Sequence, residues 1–156
     1  MARRKPSKYQ FYKFVSMLFA IAAVAMIFLP AVKLVSALSD TSSEKFTGIM
    51  VSFGYKSKIG IKVFKFSILN LLPYVATLTA FILIITLSSK KRVIANFTIL
   101  VVLVLSSILF FLSPYFLIFG EEYYVNTFFE LGLGSILAGI FSLLSGLVFL
   151  YGMYKN

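Results

Sequence analysis

Long apolar stretches alternate with short polar segments along the whole of this chain of 156 residues. Four of the stretches are each long enough to form a helix that crosses a hydrocarbon core of about 30 Å at about 1.5 Å per residue. They lie at about 14–38, 70–88, 93–117 and 128–151. The pattern predicts a single integral membrane domain, 1–156, built as an all-α bundle of four transmembrane helices, with outer loops at 39–69 and 118–127.

The longer loop, 39–69, carries a second pattern within it. Apolar and small or polar residues alternate at every second position on both sides of the polar turn 56–58, which is typical of a β-hairpin. The apolar positions are Ile49, Val51, Phe53 and Tyr55, then Ile59, Ile61 and Val63. An isolated two-stranded hairpin is marginal in water. We therefore expect the loop 118–127 either to add a third strand through 123–125 or to lie across the hairpin, forming a small extracytoplasmic β-hairpin cap between helices 1 and 2.

Charge gives the expected orientation. Charged residues are 13% of the chain, against about a quarter in soluble domains, and most of the bases lie beside the apolar stretches. Nine bases without an acid among them lie before the first stretch, between the second and third, and after the fourth: Arg3, Arg4, Lys5, Lys8, Lys13, Lys90, Lys91, Arg92 and Lys155. All five acids lie in or beside the other two loops: Asp40, Glu44, Glu121, Glu122 and Glu130. The positive-inside rule then predicts a plasma membrane protein whose two termini are both cytoplasmic.

Two other interpretations of the basic N-terminus are open to the sequence. The net charge of +10 and the arm 1–8 would suit nucleic acid, but the positive-inside rule accounts for the same residues, so we expect no nucleic-acid partner. Val35-Ser36-Ala37 after an apolar run also resembles a signal-peptide cleavage site. The apolar run is longer than a typical signal core and Lys33 interrupts it, which favours a retained span. Lysine-rich, tryptophan-free composition indicates an AT-rich bacterial genome.

Small residues recur at three- and four-residue steps along the fourth stretch, which places them on one stripe of a helix. The stripe consists of Gly132, Ser135, Gly139, Ser142 and Gly146, and a second row beside it of Ala138, Ser145 and Gly152. Small residues let helix backbones approach closely in lipid, where water cannot drive association. The stripe therefore predicts packing on the small face of the first helix (Ser16, Ala20, Ala23), or alternatively on another copy or a partner protein. Pro30 should kink the first helix.

The outer loops carry opposite charges. Lys56, Lys58, Lys62 and Lys65 in the predicted hairpin would face Glu121 and Glu122 in the second outer loop. One interpretation is that these groups pair and hold the cap together. The other is that the lysines are solvated or touch lipid phosphates, with the energy of about 0–1 kcal/mol that is typical of exposed pairs.

Residues that would carry out chemistry are scarce. The chain has no cysteine and no histidine, and the only acid within the apolar stretches is Glu130, near the start of the fourth. General acid–base catalysis, nucleophilic catalysis and metal binding all need clusters of such groups. We therefore expect no enzyme, no catalytic residues, no metal and no cofactor.

The predicted layout resembles the claudin-type tetraspan architecture, with cytoplasmic termini, a β-rich first outer loop and a shorter second one. The claudin signature of tryptophan and paired cysteines is absent, since the chain contains neither residue. The resemblance therefore implies a shape and no junction-forming role, and the layout is equally similar to small bacterial four-span membrane proteins. We expect a non-enzymatic structural or accessory subunit in contact with lipids and a protein partner; the alternative is a homo-oligomeric channel or small-solute transporter subunit.

Overall fold

A computed structural model describes residues 8–36, 44–58, 60, 62–89, 92–120 and 127–154, without the side chains of 34–36 and 127–128. The chain is mostly helical and includes a small sheet. The helices are α1 Lys8–Ala25, α2 Gly48–Phe53, α3 Ile68–Thr86, α4 Val93–Phe111 and α5 Leu133–Tyr154, with 3₁₀ turns at Met26–Phe28 and Ser113–Phe116. The strands are β1 Pro30–Ser36, β2 Lys45–Thr47, β3 Tyr55–Lys56, β4 Lys62–Phe64 and β5 Thr127–Leu131.

The prediction of four long apolar helices is confirmed. Among the described residues, four helical segments are long and apolar enough to cross a membrane: Lys8–Phe28, Ile68–Thr86, Val93–Phe111 and Leu133–Tyr154. Each has 19 to 22 residues, which gives a length of about 30 Å at about 1.5 Å per residue. Hydropathy alone therefore located all four elements.

The four long helices pack as a ring in which neighbouring helices run antiparallel. α5 lies between α1 and α4, and α3 closes the ring against α4 and α1. Tyr12 of α1 stacks edge-on against Tyr151 near the end of α5, whereas Ser16, one turn later, bonds Ser145 further back. At the other side of the ring Tyr9 bonds Ser88, just beyond the end of α3, at 3.0 Å. The first turns of α1 and the last turns of α3 and α5 thus meet at one end.

That end, with residues 8–13, 85–89, 92 and 149–154, is the terminal end of the molecule. The opposite end, with residues 29–36, 44–58, 62–66, 117–120 and 127–132, is the sheet end, because it carries both sheets. One sheet has the strand order β2-β1-β5 and the other pairs β3 with β4, and all pairs are antiparallel.

The first predicted helix, 14–38, is wrong at its second half. Helical structure runs from Lys8 to Phe28, and Pro30, predicted to kink the helix, is instead the first residue of strand β1. Leu29 has an extended backbone, with φ −90° and ψ 161°, as the steric demand of the following proline favours. β1 then pairs with β2 on one side and β5 on the other, so its peptide groups are satisfied without a helix. Ala31 and Val32 are buried there, so their apolar character reflects burial in a sheet.

The fourth predicted helix, 128–151, is wrong at its start. Residues Thr127–Leu131 form β5, and α5 begins at Leu133. Gly132, which the sequence placed on the helical stripe, lies between strand and helix, where its N–H donates to the carbonyl oxygen of Ala31 at 2.8 Å. The first and last long helices are therefore joined through the β1–β5 pair, in a register from Val32 opposite Leu131 to Ser36 opposite Thr127.

The predicted hairpin is wrong in its first strand. Residues Gly48–Phe53 form the short helix α2, because Thr47 caps it by accepting from the N–H of Met50 at 3.4 Å. Its buried positions, Gly48, Val51 and Ser52, have helical spacing. A shorter hairpin does follow, in which β3 pairs with β4.

The predicted loop 118–127 does contact this hairpin, through residues 118–120. Phe119 forms a bridge with Phe64, the N–H of Lys65 donates to Ile118, and the N–H of Gly120 donates to Val63. The predicted third strand at 123–125 lies outside the described residues. The third helix ends at Phe111 and not near 117, because Pro114 starts a 3₁₀ turn there.

Candidate functional site

The sheet end has a hydrophobic core of its own. Its core is a cluster of six buried residues from four elements: Ala31, Val32, Phe46, Val51, Val63 and Phe64. Aromatic rings link the two sheets through this core, since Phe46 lies 4.9 Å from Phe64 and Phe64 lies 5.8 Å from Phe129, measured between ring centroids. Each such pair contributes about 0.5–1.5 kcal/mol beyond its area. The two sheets therefore form one packed layer.

Glycines allow this layer to approach the helices closely. A Cβ on Gly48 would lie 2.5 Å from Tyr74 Oη of α3 and 3.0 Å from the carbonyl oxygen of Ile27. A Cβ on Gly132 would collide with the backbone carbonyl of Pro30. Real Cβ atoms do not approach this closely, so the sheet end sits on the ring of helices at a separation that a side chain would prevent.

Buried polar groups beside the sheet end join the start of α3 to the 3₁₀ turn Ser113–Phe116 that follows α4. Ser67 caps α3, accepting from the N–H of Asn70 at 3.4 Å, and its hydroxyl donates to the carbonyl oxygen of Phe116 at 2.7 Å. The hydroxyl of Ser113 donates to Asn70 Oδ1 at 2.9 Å. Because these groups are buried, losing one partner would leave the other unsatisfied, at about 1–3 kcal/mol. The junction is therefore specific as well as close.

The predicted lysines lie on the hairpin. Lys56 and Lys62 are exposed and directly opposite each other across β3 and β4, and Lys58 is exposed in the turn. Lys65, which follows β4, is half-buried. Glu121 and Glu122 lie outside the described residues, so the proposed charge pairing stays a prediction. The structure thus brings the lysines together on one short element.

The predicted stripe on α5 faces α4 rather than α1. Ser107 of α4 donates to the carbonyl oxygen of Gly139 at 2.8 Å, and Ser142 donates to the carbonyl oxygen of Leu103 at 2.9 Å. Gly146 lies over Leu103 as well. Ser135 is buried, and its hydroxyl has no hydrogen-bond partner among the described residues.

Two members of the second row, Ser145 and Gly152, face α1 instead, whereas Ala138 lies in a buried cluster with Tyr74 and Phe110. Ser16 and Ser145 each donate to the other's carbonyl oxygen at 2.9 Å, and their hydroxyl oxygens lie 3.0 Å apart. Gly152, further along, lies against the Cβ of Tyr12. The small faces of α1 and α5 predicted from sequence do meet, but through the row that was named second.

Charged side chains in the long helices are confined to the first turns of α1, at Lys8 and Lys13. The ammonium of Lys13 donates to the carbonyl oxygens of Ile85, at 3.3 Å, and Ser88, at 3.5 Å, near the end of α3. A cation at a helix C-terminus is a favourable electrostatic contact. No group of three or more His, Cys, Asp or Glu that could hold a metal lies within the described parts of the chain.

Sequence reasoning missed the aromatic core of the sheet end, because its members come from segments that were assigned to a span, a loop and a hairpin. Phe129 lay inside a predicted helix, and Phe46 followed the polar run 39–45. The usable signals were Pro30 followed by Val32 and Lys33, which suits a strand better than a membrane helix, and Thr47 as a helix cap.

Comparison with known proteins adds no relative: no family model, no curated protein and no solved structure matches this chain. The claudin-type topology stays an expectation from the layout. The function proposed below is therefore inferred from the residues of this chain alone.

Proposed function

We propose that this chain is a non-enzymatic subunit of a bacterial plasma membrane, a structural or accessory protein that crosses the bilayer four times. The ring of helices is its membrane domain, both termini are cytoplasmic, and the sheet end is an outer cap that contacts a partner protein. The observation that carries the proposal is the set of serine hydrogen bonds between the helices of the ring, which hold the helices in one arrangement.

The hydrogen bonds of the serine hydroxyls between the helices support this structural role. Ser16, Ser107, Ser142 and Ser145 are buried between helices and all make hydrogen bonds across helix pairs. Such bonds contribute about 0.6 kcal/mol on average in a membrane protein. Hydroxyls engaged in this way are not available to a solute, which favours a scaffold over a conduit through the protomer.

The charge distribution supports the orientation. The terminal end presents Lys8, Lys13 and Arg92, and the neighbouring sequence adds further bases without an acid. The sheet end carries six lysines, fewer than the nine bases at or beside the terminal end, and it also carries Glu44 and Glu130. An excess of lysine and arginine in short loops is retained on the cytoplasmic side, so the sheet end faces outward.

The orientation can be tested with single cysteines, because the chain has none of its own. A Lys58→Cys variant, exposed in the turn of the hairpin, should react with a membrane-impermeant maleimide in intact cells. A Ser89→Cys variant, exposed in the link between α3 and α4, should react only after permeabilisation. The reverse pattern would reject the orientation, and labelling of both in intact cells would reject the four crossings.

The alternative, a channel or transporter formed between copies of the chain, has one observation in its favour. Thr79, Thr86 and Thr98 are exposed on the outward faces of α3 and α4. Each hydroxyl nevertheless donates to the carbonyl oxygen four residues earlier, at 2.8–3.0 Å, which is how isolated threonines are satisfied in lipid. Contact with lipid therefore explains the exposed threonines, and no polar pore is needed.

A photo-crosslinking residue separates the two functions. Placed in native membranes at Lys45, exposed on β2, it should give one defined hetero-adduct if the cap binds a partner. Placed at Thr98, it should give no discrete adduct with another copy. A closed ladder of homo-oligomers from Thr98, with no discrete adduct from Lys45, would overturn the accessory role in favour of the channel.

A further inference from the structure

The β3–β4 hairpin is arranged in successive pairs that change character with distance from α3. At its base, Phe53 and Phe66 are 57% and 52% exposed, and their ring centroids lie 6.4 Å apart. The next pair, Tyr55 and Phe64, turns into the core of the sheet end, and the next, Lys56 and Lys62, is exposed. The hairpin therefore has an apolar base and a cationic upper part.

The apolar base continues the outward face of α3. Ile49, one turn before Phe53 on α2, is also exposed, and α2 packs against α3. Ile68 and Leu72, in the first turns of α3, are exposed on the same helix. On the proposed membrane embedding, those α3 residues face lipid, so the base of the hairpin extends a lipid-facing surface beyond the helices.

The lysine pair points to an anionic ligand. Like charges directly opposite in an antiparallel pair are destabilising, yet Lys56 lies opposite Lys62. Residues 45–67 contain five lysines and no acid, so this stretch of chain does not neutralise its own charge. An anion bound between the two ammonium groups would relieve their repulsion.

The length of chain keeps the lysines within reach of lipid headgroups. Lys56 follows Phe53, the last residue of α2, by three residues, which is at most about 10 Å at about 3.3 Å per residue. The headgroup zone extends about 5–8 Å beyond the hydrocarbon core on each side, and flexible lysine side chains can bend back toward it. Aromatic rings at the boundary with lysines above them suit phosphates of the lipid surface.

We propose that α2 and the β3–β4 hairpin form a docking surface for anionic phospholipids of the outer leaflet. Ile49, Phe53 and Phe66 lie at the hydrocarbon boundary, and the lipid phosphate is bound between Lys56 and Lys62. This inference rests on the proposed function, because it requires the four helices to be embedded. It adds a lipid-selective contact to the cap, whose partner-binding role would then be exercised close to the membrane surface.

The absence of tryptophan from the chain makes a direct test available. A Phe53→Trp variant is reconstituted in phosphatidylcholine–phosphatidylglycerol vesicles in which one lipid or the other carries bromine, a contact quencher of tryptophan. At equal mole fraction, we expect brominated phosphatidylglycerol to be favoured at the reporter by about fivefold for each lysine engaged, the usual effect of a lysine at an anionic surface. Lys56→Gln and Lys62→Gln should remove this selectivity, and Lys45→Gln, an exposed lysine of the other sheet, should leave it unchanged.

The outcomes that overturn the inference are distinct. Equal quenching by the two lipids, or selectivity that survives both hairpin substitutions, would reject the anionic docking surface. Quenching that is the same for the two lipids but changes in excess inorganic phosphate, and not in chloride of equal ionic strength, would show that a soluble anion, and not a lipid, is the ligand. A Phe97→Trp variant, exposed on α4, reports embedding alone: if it is quenched and Phe53→Trp is not, only this inference fails, and if neither is quenched, the proposed membrane crossing fails too.

Discussion

The sheet end and the ring of helices are held together by different means. The sheet end buries large aromatic rings, with Phe46, Phe64 and Phe129 in mutual contact. The interface of α5 with α1 and α4 also buries apolar side chains, with Phe149 in one cluster with Leu103, but it adds glycines and serines whose hydroxyls donate short hydrogen bonds to backbone carbonyls. In water, the hydrophobic effect drives the packing of aromatic rings. In lipid, helices associate through close van der Waals contact and hydrogen bonds instead. The change of chemistry along the molecule marks where the proposed lipid boundary lies.

Removing one ring should give the largest effect. Phe64 is 2% exposed at the centre of the aromatic core, so Phe64→Ala should destabilise the sheet end by about 3–5 kcal/mol through lost transfer and a cavity. Limited proteolysis across urea concentrations should show earlier cleavage within 44–66, while far-UV circular dichroism still reports intact helices. Phe53→Ala, at an exposed ring of the same hairpin, is the control and should cleave like the parent protein. Equal sensitivity of the two variants would mean that the aromatic core does not hold the sheets.

One substitution at two glycines of the predicted stripe should give opposite signs. Gly132→Ala forces a Cβ onto the backbone of Pro30, which cannot swing away, and should cost about 1–3 kcal/mol as overpacking does. Gly146→Ala meets Leu100 at 3.4 Å, an ordinary contact. That variant should be neutral or slightly more stable, because alanine is the better helix former by about 1 kcal/mol. Unfolding of both variants in detergent measures the difference, and similar losses at both positions would contradict the difference in the space available at the two glycines.

The serine pair should give the smallest measurable effect. Ser16→Ala and Ser145→Ala should each cost about 0.6 kcal/mol, the average for polar contacts between membrane helices, because each removes one hydroxyl that donates to a backbone carbonyl of the other helix. Thr98→Val is the matched control, since that hydroxyl bonds only within its own helix, and it should cost less in unfolding measured in the same detergent. No loss in either serine variant would leave close packing as the source of α1–α5 association.

Much of the helical part could be predicted from the sequence, because an apolar run long enough to cross a bilayer satisfies its backbone there as a helix. The same reasoning failed at Pro30–Ser36 and Thr127–Leu131, since apolar residues of a buried strand read as a continuation of the adjacent helix. Hydropathy records burial and not backbone conformation; only the positions of Pro30 and Lys33 argued for a strand.

The sequence also misassigned α2, for a different reason. Ile49, Val51 and Phe53 fit a period of two, but Gly48, Val51 and Ser52 fit a helical period equally well over six residues. Short segments do not resolve the two periods, and the cap at Thr47 decides between them. The sequence could not show which helix each row of small residues on α5 contacts, because the two rows are adjacent. The three-dimensional contacts place Gly139, Ser142 and Gly146 against α4. They place Ser145 and Gly152 against α1.

The pairing of β1 with β5 has a consequence for how the protein is made. Ser36 of β1 pairs with Thr127 of β5, which lies about 90 positions later in the chain. Ribosomes add about 5–20 residues per second. For several seconds after its synthesis, β1 has β2 on one side and no completed neighbour on the other. The β2-β1-β5 sheet is thus completed only after β5 has been synthesised, and until then one edge of β1 exposes backbone groups that a strand will later pair.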